Sequence, residues 1–179
     1  MKQLWDAGLT TKEYAVIGDI VAQWGALEAE IFSQTLITYG SDIHISQLPN
    51  EMSNLNFLAV LKLWKIRVVD VSESDCKSVL EGAYTKILQL QDVRNSIIHG
   101  MWEFSPTELK TISTFRVKKD KLINIVFKDG ALVDIAIAIA EINACIRYPG
   151  GMADFFKEHD GFYVNQAFRR RMKLETGNE

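Results

Sequence analysis

The sequence predicts a mainly α fold: an antiparallel bundle of four to five helices with a small β-hairpin inserted before the last long helix. Three observations predict it. Apolar residues recur at three- and four-residue spacing over long stretches, the pattern of helices that bury one face. Prolines stand only at positions 49, 106 and 149, so long helices are allowed. Between Met101 and Phe127 the helical period gives way to short runs rich in β-branched and aromatic residues.

The first helix starts at Thr10 or Thr11, either of which can cap it, with Glu13 placing negative charge in the first turn. Its stripe is Ile17, Ile20, Val21, Trp24, Leu27 and Ile31, widened by Phe32, Leu36 and Tyr39, and Gly40 ends it. After a loop with His44 and Pro49, a second helix is expected over about 54–70, with Leu55, Leu58, Val60 or Leu61, Trp64 and Val68 inward. The third begins near Ser72 or Ser74 in a cap-rich cluster and runs through Cys76, Val79, Leu80, Ala83, Ile87, Leu90, Ile97 and Ile98 to a stop at Gly100. Strands follow at 101–104, 111–117 and 122–127, the last two joined by a tight turn at Lys118-Lys119-Asp120. Asp129 is placed to cap a final long helix carrying Leu132, Ile135, Ile139, Ile142 and Ile146, which Pro149-Gly150-Gly151 breaks. A short helix is expected around 152–159. The whole of 1–179 reads as one domain, with 160–179 a partly ordered tail.

The charge balance excludes a uniformly basic nucleic-acid surface, because the net charge is −3. Any RNA contact must come from a local patch. Cys76 and Cys145 form no metal-like pair with each other or with the three histidines, so buried free thiols in a reducing compartment are expected, and no metal site. His44 and His159 lack ligand-spaced partners. Met1–Leu9 has no apolar run of a secretory leader, and no stretch reaches the ~20 apolar residues of a membrane span. A cytoplasmic protein without membrane contact or cofactor is expected. Glycine patterns for a phosphate-binding loop, a dinucleotide site or a nucleophile elbow are missing.

One stretch carries chemistry. Leu88-Gln89-Leu90-Gln91-Asp92-Val93 keeps the third helix going into Arg94-Asn95-Ser96-Ile97-Ile98-His99, which is followed by Gly100 and then Trp102. This run resembles the motif-bearing helix of the HEPN superfamily, whose mark is Arg-x4-His. Trp24-Gly25-Ala26-Leu27-Glu28 likewise looks like part of the opening helix of such bacterial proteins. The resemblance is sharp over about ten residues and architectural over the rest. It implies a helical bundle that forms homodimers, with Arg94 and His99 of both subunits facing a shared cleft where RNA is cut without metal. A toxin or anti-phage defence role, with an antitoxin protein as partner, would follow from it.

The chemistry stands on its own terms. RNA carries its own nucleophile, the 2′-hydroxyl. Histidine is the side chain suited to moving protons to or from that group near neutral pH. Arginine can hold the extra negative charge on phosphorus in the transition state. His99 is thus the candidate proton-transfer residue and Arg94 the stabiliser. Asn95, one turn before His99, would orient its ring or bind a phosphate oxygen. Arg94 lies about 140° round the helix from His99, so the pair meets only through the arginine's long stem or through a second subunit. Asp92 or Glu28 could tune the histidine. Trp102 could stack a base, and Arg116 and Lys118 could touch phosphates. The alternative is a non-catalytic RNA- or protein-binding dimerisation module, in which Arg94 pairs with a carboxylate on a neighbouring helix and His99 caps its own. The four tryptophans read mainly as core, and Arg169-Arg170-Arg171 with Lys173 as a solvated tail.

Overall fold

Helix α1 (Thr11–Ile37) opens on a capping box. The Thr10 hydroxyl accepts the Glu13 N–H at 3.2 Å, and the Glu13 carboxylate accepts the Thr10 N–H at 2.6 Å. Ile20, Trp24, Leu27, Ile31 and Thr35 are its buried face, and the Thr35 hydroxyl is satisfied by the Ile31 carbonyl at 2.7 Å. Val21, expected in the stripe, stands 45% exposed, turned off to the flank of that face. The computed structural model describes residues 7–40, 48–104, 107–108, 110–151 and 154–155. The expected tail at 160–179 lies outside them, as does most of the short helix at 152–159, of which Asp154 and Phe155 are helical.

A short 3₁₀ turn (Asn50–Met52) leads to helix α2 (Phe57–Trp64), capped by the Asn56 side chain, which accepts the Ala59 N–H at 3.1 Å. The helix starts later than the expected 54 because Asn54 has φ 56, in the left-handed region that no helix can include. Its far end departs further. Lys65–Val69 forms a π-helical turn, in which the Asp70 N–H bonds to the carbonyl of Lys65, five residues back, at 2.9 Å. The widened turn adds one residue, so Val69 follows Val60, Leu61 and Trp64 into full burial, with Val68 packed half-buried beside it. Leu55 and Leu58 of the expected stripe are exposed.

Helix α3 (Ser74–His99) buries Leu80, Ala83, Ile87, Ser96 and Ile97. Both cysteines are free thiols and half-buried, short of the full burial expected. Gly100 ends the helix as read, with φ −79 and ψ 151. A Cβ there would collide with the Ser96 carbonyl oxygen and stand 2.9 Å from Thr114 Cβ. The last turn of α3, with β2 packed beside it, is therefore what demands glycine.

The expected hairpin is part of a three-stranded antiparallel sheet in the order β1 (Met101–Phe104), β2 (Thr111–Lys118), β3 (Lys121–Lys128). Met101 pairs with Phe115, Thr114 with Ile125, and Lys118 with Lys121 across the turn at Lys119, where φ is 57. Because side chains alternate, Trp102, Ile112, Thr114, Ile125 and Phe127 share the face that packs on the helices.

Helix α4 (Ala131–Arg147) follows Gly130, whose φ of 85 makes the turn; no side chain caps the helix, so Asp129 does not have the expected role. Leu132, Ala136, Ile139, Ile142 and Ile146 are buried, with Ile135 packed beside them.

Cross-contacts fix the helix directions. Trp24 meets Phe57, Gln34 accepts the Trp64 indole N–H, and Thr38 accepts from Arg67, so α1 and α2 run the same way. Asn143 donates to the Gln23 carbonyl and Gln34 to that of Ile146, so α4 joins them. Lys65 pairs with Glu81, while Phe57 shares a cleft with Arg94, so α3 opposes all three. The simple alternation expected from the sequence fails at α1–α2, where residues 38–56 are long enough to carry the chain back before α2 starts. Among the described residues no helix is long and apolar enough to cross a membrane.

Candidate functional site

The last two turns of α3 carry Arg94, Asn95 and His99, and the structure sends them in two directions. Arg94 and Asn95 line a cleft of about 210 Å³ bounded by Trp24 and Glu28 of α1, by Asn56, Phe57 and Leu58 at the start of α2, and by Gln91. Trp24 forms the wall, buried and edge-on to Phe57 at 5.9 Å. Its indole N–H donates to Glu28 Oε1 at 2.7 Å, which holds that carboxylate one helical turn along, facing α3.

The Arg94 guanidinium is partly engaged. Nη1 donates to Asn95 Oδ1 at 3.1 Å, Nη2 lies 3.7 Å from the Glu28 carboxylate, and the group sits 5.6 Å from the Trp24 ring centre. Nε is buried without an acceptor among the described residues. Glu28 balances the charge at long range without taking the guanidinium's full donor set.

His99 is exposed at the end of α3 and does not line this cleft. Among the described residues it has no hydrogen bond or ion pair. The turn-and-a-half between Arg94 and His99 thus puts them on different surfaces of the chain, as the 140° offset implies. Asn95 sides with Arg94. Glu28 faces Arg94, and Asp92 faces the sheet, so neither carboxylate bonds to His99.

Asp92 belongs to a second cluster that clamps β2 onto α3. It accepts from Arg116 Nη2 at 3.0 Å and from Lys118 Nζ at 2.6 Å, while Arg116 Nε donates to the buried Ser96 hydroxyl at 3.0 Å. The hydrogen bond from Lys118 holds the Asp92 carboxyl below its ordinary value; desolvation, the next largest effect, opposes it, and the charges of Lys118 and Arg116 with the Arg116 hydrogen bond add to the lowering. Arg116 is only 13% exposed, whereas Lys118 is half exposed. Trp102 packs on Phe127 at 5.5 Å and donates its indole N–H to the Ile97 carbonyl at 3.2 Å. Trp102 and Arg116 are therefore spent largely inside the fold.

Sequence reading did not find the α2 contribution to the Arg94 cleft, because Asn56 and Phe57 carry no motif. It also missed Ser96 as the anchor of Arg116. The Trp24–Glu28 pair was findable, at four-residue spacing on one helix face. No family model, curated protein or solved structure matches the chain.

Proposed function

We propose that the chain is a metal-independent endoribonuclease of HEPN type that works as a cytoplasmic homodimer, with a toxin or defence role. His99 transfers the proton, Arg94 stabilises the phosphorane-like transition state, and Asn95 positions Arg94. The products are a 2′,3′-cyclic phosphate and a 5′-hydroxyl. The observation that supports this best is the state of Arg94: it lines an open cleft with Nε unpartnered and Nη2 at a long 3.7 Å from its counter-ion. Such donors can turn to a phosphate without breaking a tight pair. His99 on another surface of the same protomer fits a site completed by a second copy, in which the His99 of one chain approaches the Arg94 of the other.

A second reading has an observation of its own. Arg94 also lies against Trp24 and shares Asn95 and Glu28, the arrangement of a structural arginine in a non-catalytic binding module.

The test is cleavage of total tRNA by the purified chain in excess EDTA, followed on a denaturing gel. Wild type should cut, leaving cyclic phosphate ends. His99→Ala should abolish cutting with an unchanged melting temperature, since His99 is exposed and has no hydrogen bond or ion pair among the described residues. Arg94→Ala should slow it by about 10²–10³. Undiminished cleavage by His99→Ala would end the assignment. Absence of cleavage by wild type would favour the binding module.

A further inference from the structure

The Arg94 cleft holds more hydrogen-bond donors than the chain pairs. Three carboxamides line it, Asn56, Gln91 and Asn95, beside the apolar side chains of Phe57 and Leu58. A carboxamide has one accepting oxygen and a nitrogen with two N–H donors. Asn56 Oδ1 accepts the Ala59 N–H at 3.1 Å as the cap of α2, and Asn95 Oδ1 accepts from Arg94 Nη1 at 3.1 Å. A donor at each oxygen fixes which way the amide is turned. Both NH₂ groups are thereby left without an acceptor among the described residues.

Two further observations narrow what can pair them. The side chain of half-buried Gln91 has no hydrogen bond among the described residues, and Arg94 Nε is buried without one. Desolvated donors without partners are destabilising, so the cleft calls for an occupant rich in acceptors. Its own open acceptors are fewer: the Gln91 oxygen and Glu28 Oε2, since Glu28 Oε1 takes the Trp24 indole N–H. The charges of Arg94 and Glu28 oppose each other inside the cleft, which suits a neutral group there. A volume of about 210 Å³ is below the ~300 Å³ at which pockets begin to hold drug-sized molecules, and so has room for one small ring system.

We infer that this cleft is a subsite for a uracil base of single-stranded RNA. An unpaired base presents its Watson–Crick edge to side chains and its flat face to an aromatic ring, here Phe57. Uracil's edge reads acceptor, donor, acceptor. Its two carbonyl oxygens take N–H groups of Asn56, Gln91 or Asn95, and its single N3–H finds Gln91 or Glu28. Guanine's edge has two donors to one acceptor. Cytosine and adenine each put an amino group on theirs, which would face donors. The inference rests on the ribonuclease reading in one respect: the base belongs to the strand whose adjoining phosphate Arg94 meets at the mouth of the cleft. Cleavage would then fall beside uridines.

The experiment titrates the full chain with the 3′-monophosphates of uridine, cytidine, adenosine and guanosine, followed by NMR on the side-chain amide signals of Asn56, Gln91 and Asn95. These nucleotides have no phosphodiester to cut, so the wild type serves. The uridine compound should bind about tenfold more tightly than the guanosine one and shift those signals. Two variants test the contacts, with circular dichroism as the check on folding. Asn56→Asp keeps an oxygen for the Ala59 N–H, and with it the cap, but removes the open donor. Gln91→Leu removes donor and acceptor together. Each should weaken the uridine compound about tenfold. Uridine itself, which has no phosphate, should lose the same factor with Asn56→Asp, which separates the lost donor from charge repulsion. Equal affinity for all four nucleotides, tighter binding of another base, no binding of the uridine compound, or undiminished binding by either variant overturns the subsite. Uridine-selective binding by a chain that cuts no RNA sinks the ribonuclease and leaves the subsite standing. Cleavage without regard to uridine does the reverse.

Discussion

Gly100 marks the point where helix gives way to sheet, and its role shows how much a single hydrogen atom can decide. A methyl at this position meets the Ser96 carbonyl oxygen and Thr114 Cβ, both of them fixed by backbone. Gly100→Ala should therefore cost about 1–3 kcal/mol in urea denaturation, the range for overpacking a site that cannot relax. A cost below about 0.5 kcal/mol would show that β2 can move off the end of α3. At this scale the motif was legible as letters and spacing. Arg94, Asn95 and His99 could be named from the sequence, and the angle between Arg94 and His99 followed from helix geometry. What Arg94 touches could not be read, because Trp24, Glu28, Asn56 and Phe57 come from segments far away in the chain.

Among the elements, the sheet is held to α3 by charge as well as by packing. Asp92 accepts from Lys118 and Arg116, and its carboxyl is held below the ordinary value of 3.8. A lowered folded pKa stabilises the fold at pH above the unfolded value, and the stabilisation is lost as pH falls through the folded one. Asp92→Asn should thus be slightly less stable than wild type at pH 7, by no more than about 1 kcal/mol for so exposed a pair. The difference should shrink as the pH drops below the usual aspartate range, which denaturation at a series of pH values would detect. A constant difference down to acid pH would mean that Asp92 acts through shape alone. Element order was legible because periods of 3.6 and 2 are local. The π turn at Lys65–Val69 was not legible: one added residue in a turn leaves an amphipathic pattern that still looks like a helix. Nor was the third strand's membership of a single sheet, since pairing is settled by which backbone groups meet in space.

For the whole molecule, Trp24 is the point where α1, α2 and α3 converge. It is fully buried, packs on Phe57 and positions Glu28 beside Arg94. Trp24→Ala should cost about 3–5 kcal/mol of stability. At temperatures where the variant stays folded, the cleft should also lose its wall, so that any cleavage falls as well. Intact cleavage in a folded Trp24→Ala protein would detach the cleft from the activity. The sequence by itself determined the mainly helical class, the helix spans at α1, α3 and α4, the strand segments, and the Arg94–His99 motif, since each depends on neighbours within a turn or two. Tertiary structure alone decided the parallel course of α1 and α2, which sheet face packs on the helices, and which side chains meet Arg94. Those depend on how long connections return and on which faces find partners. Burial among distant segments settles these points, and no local pattern encodes it.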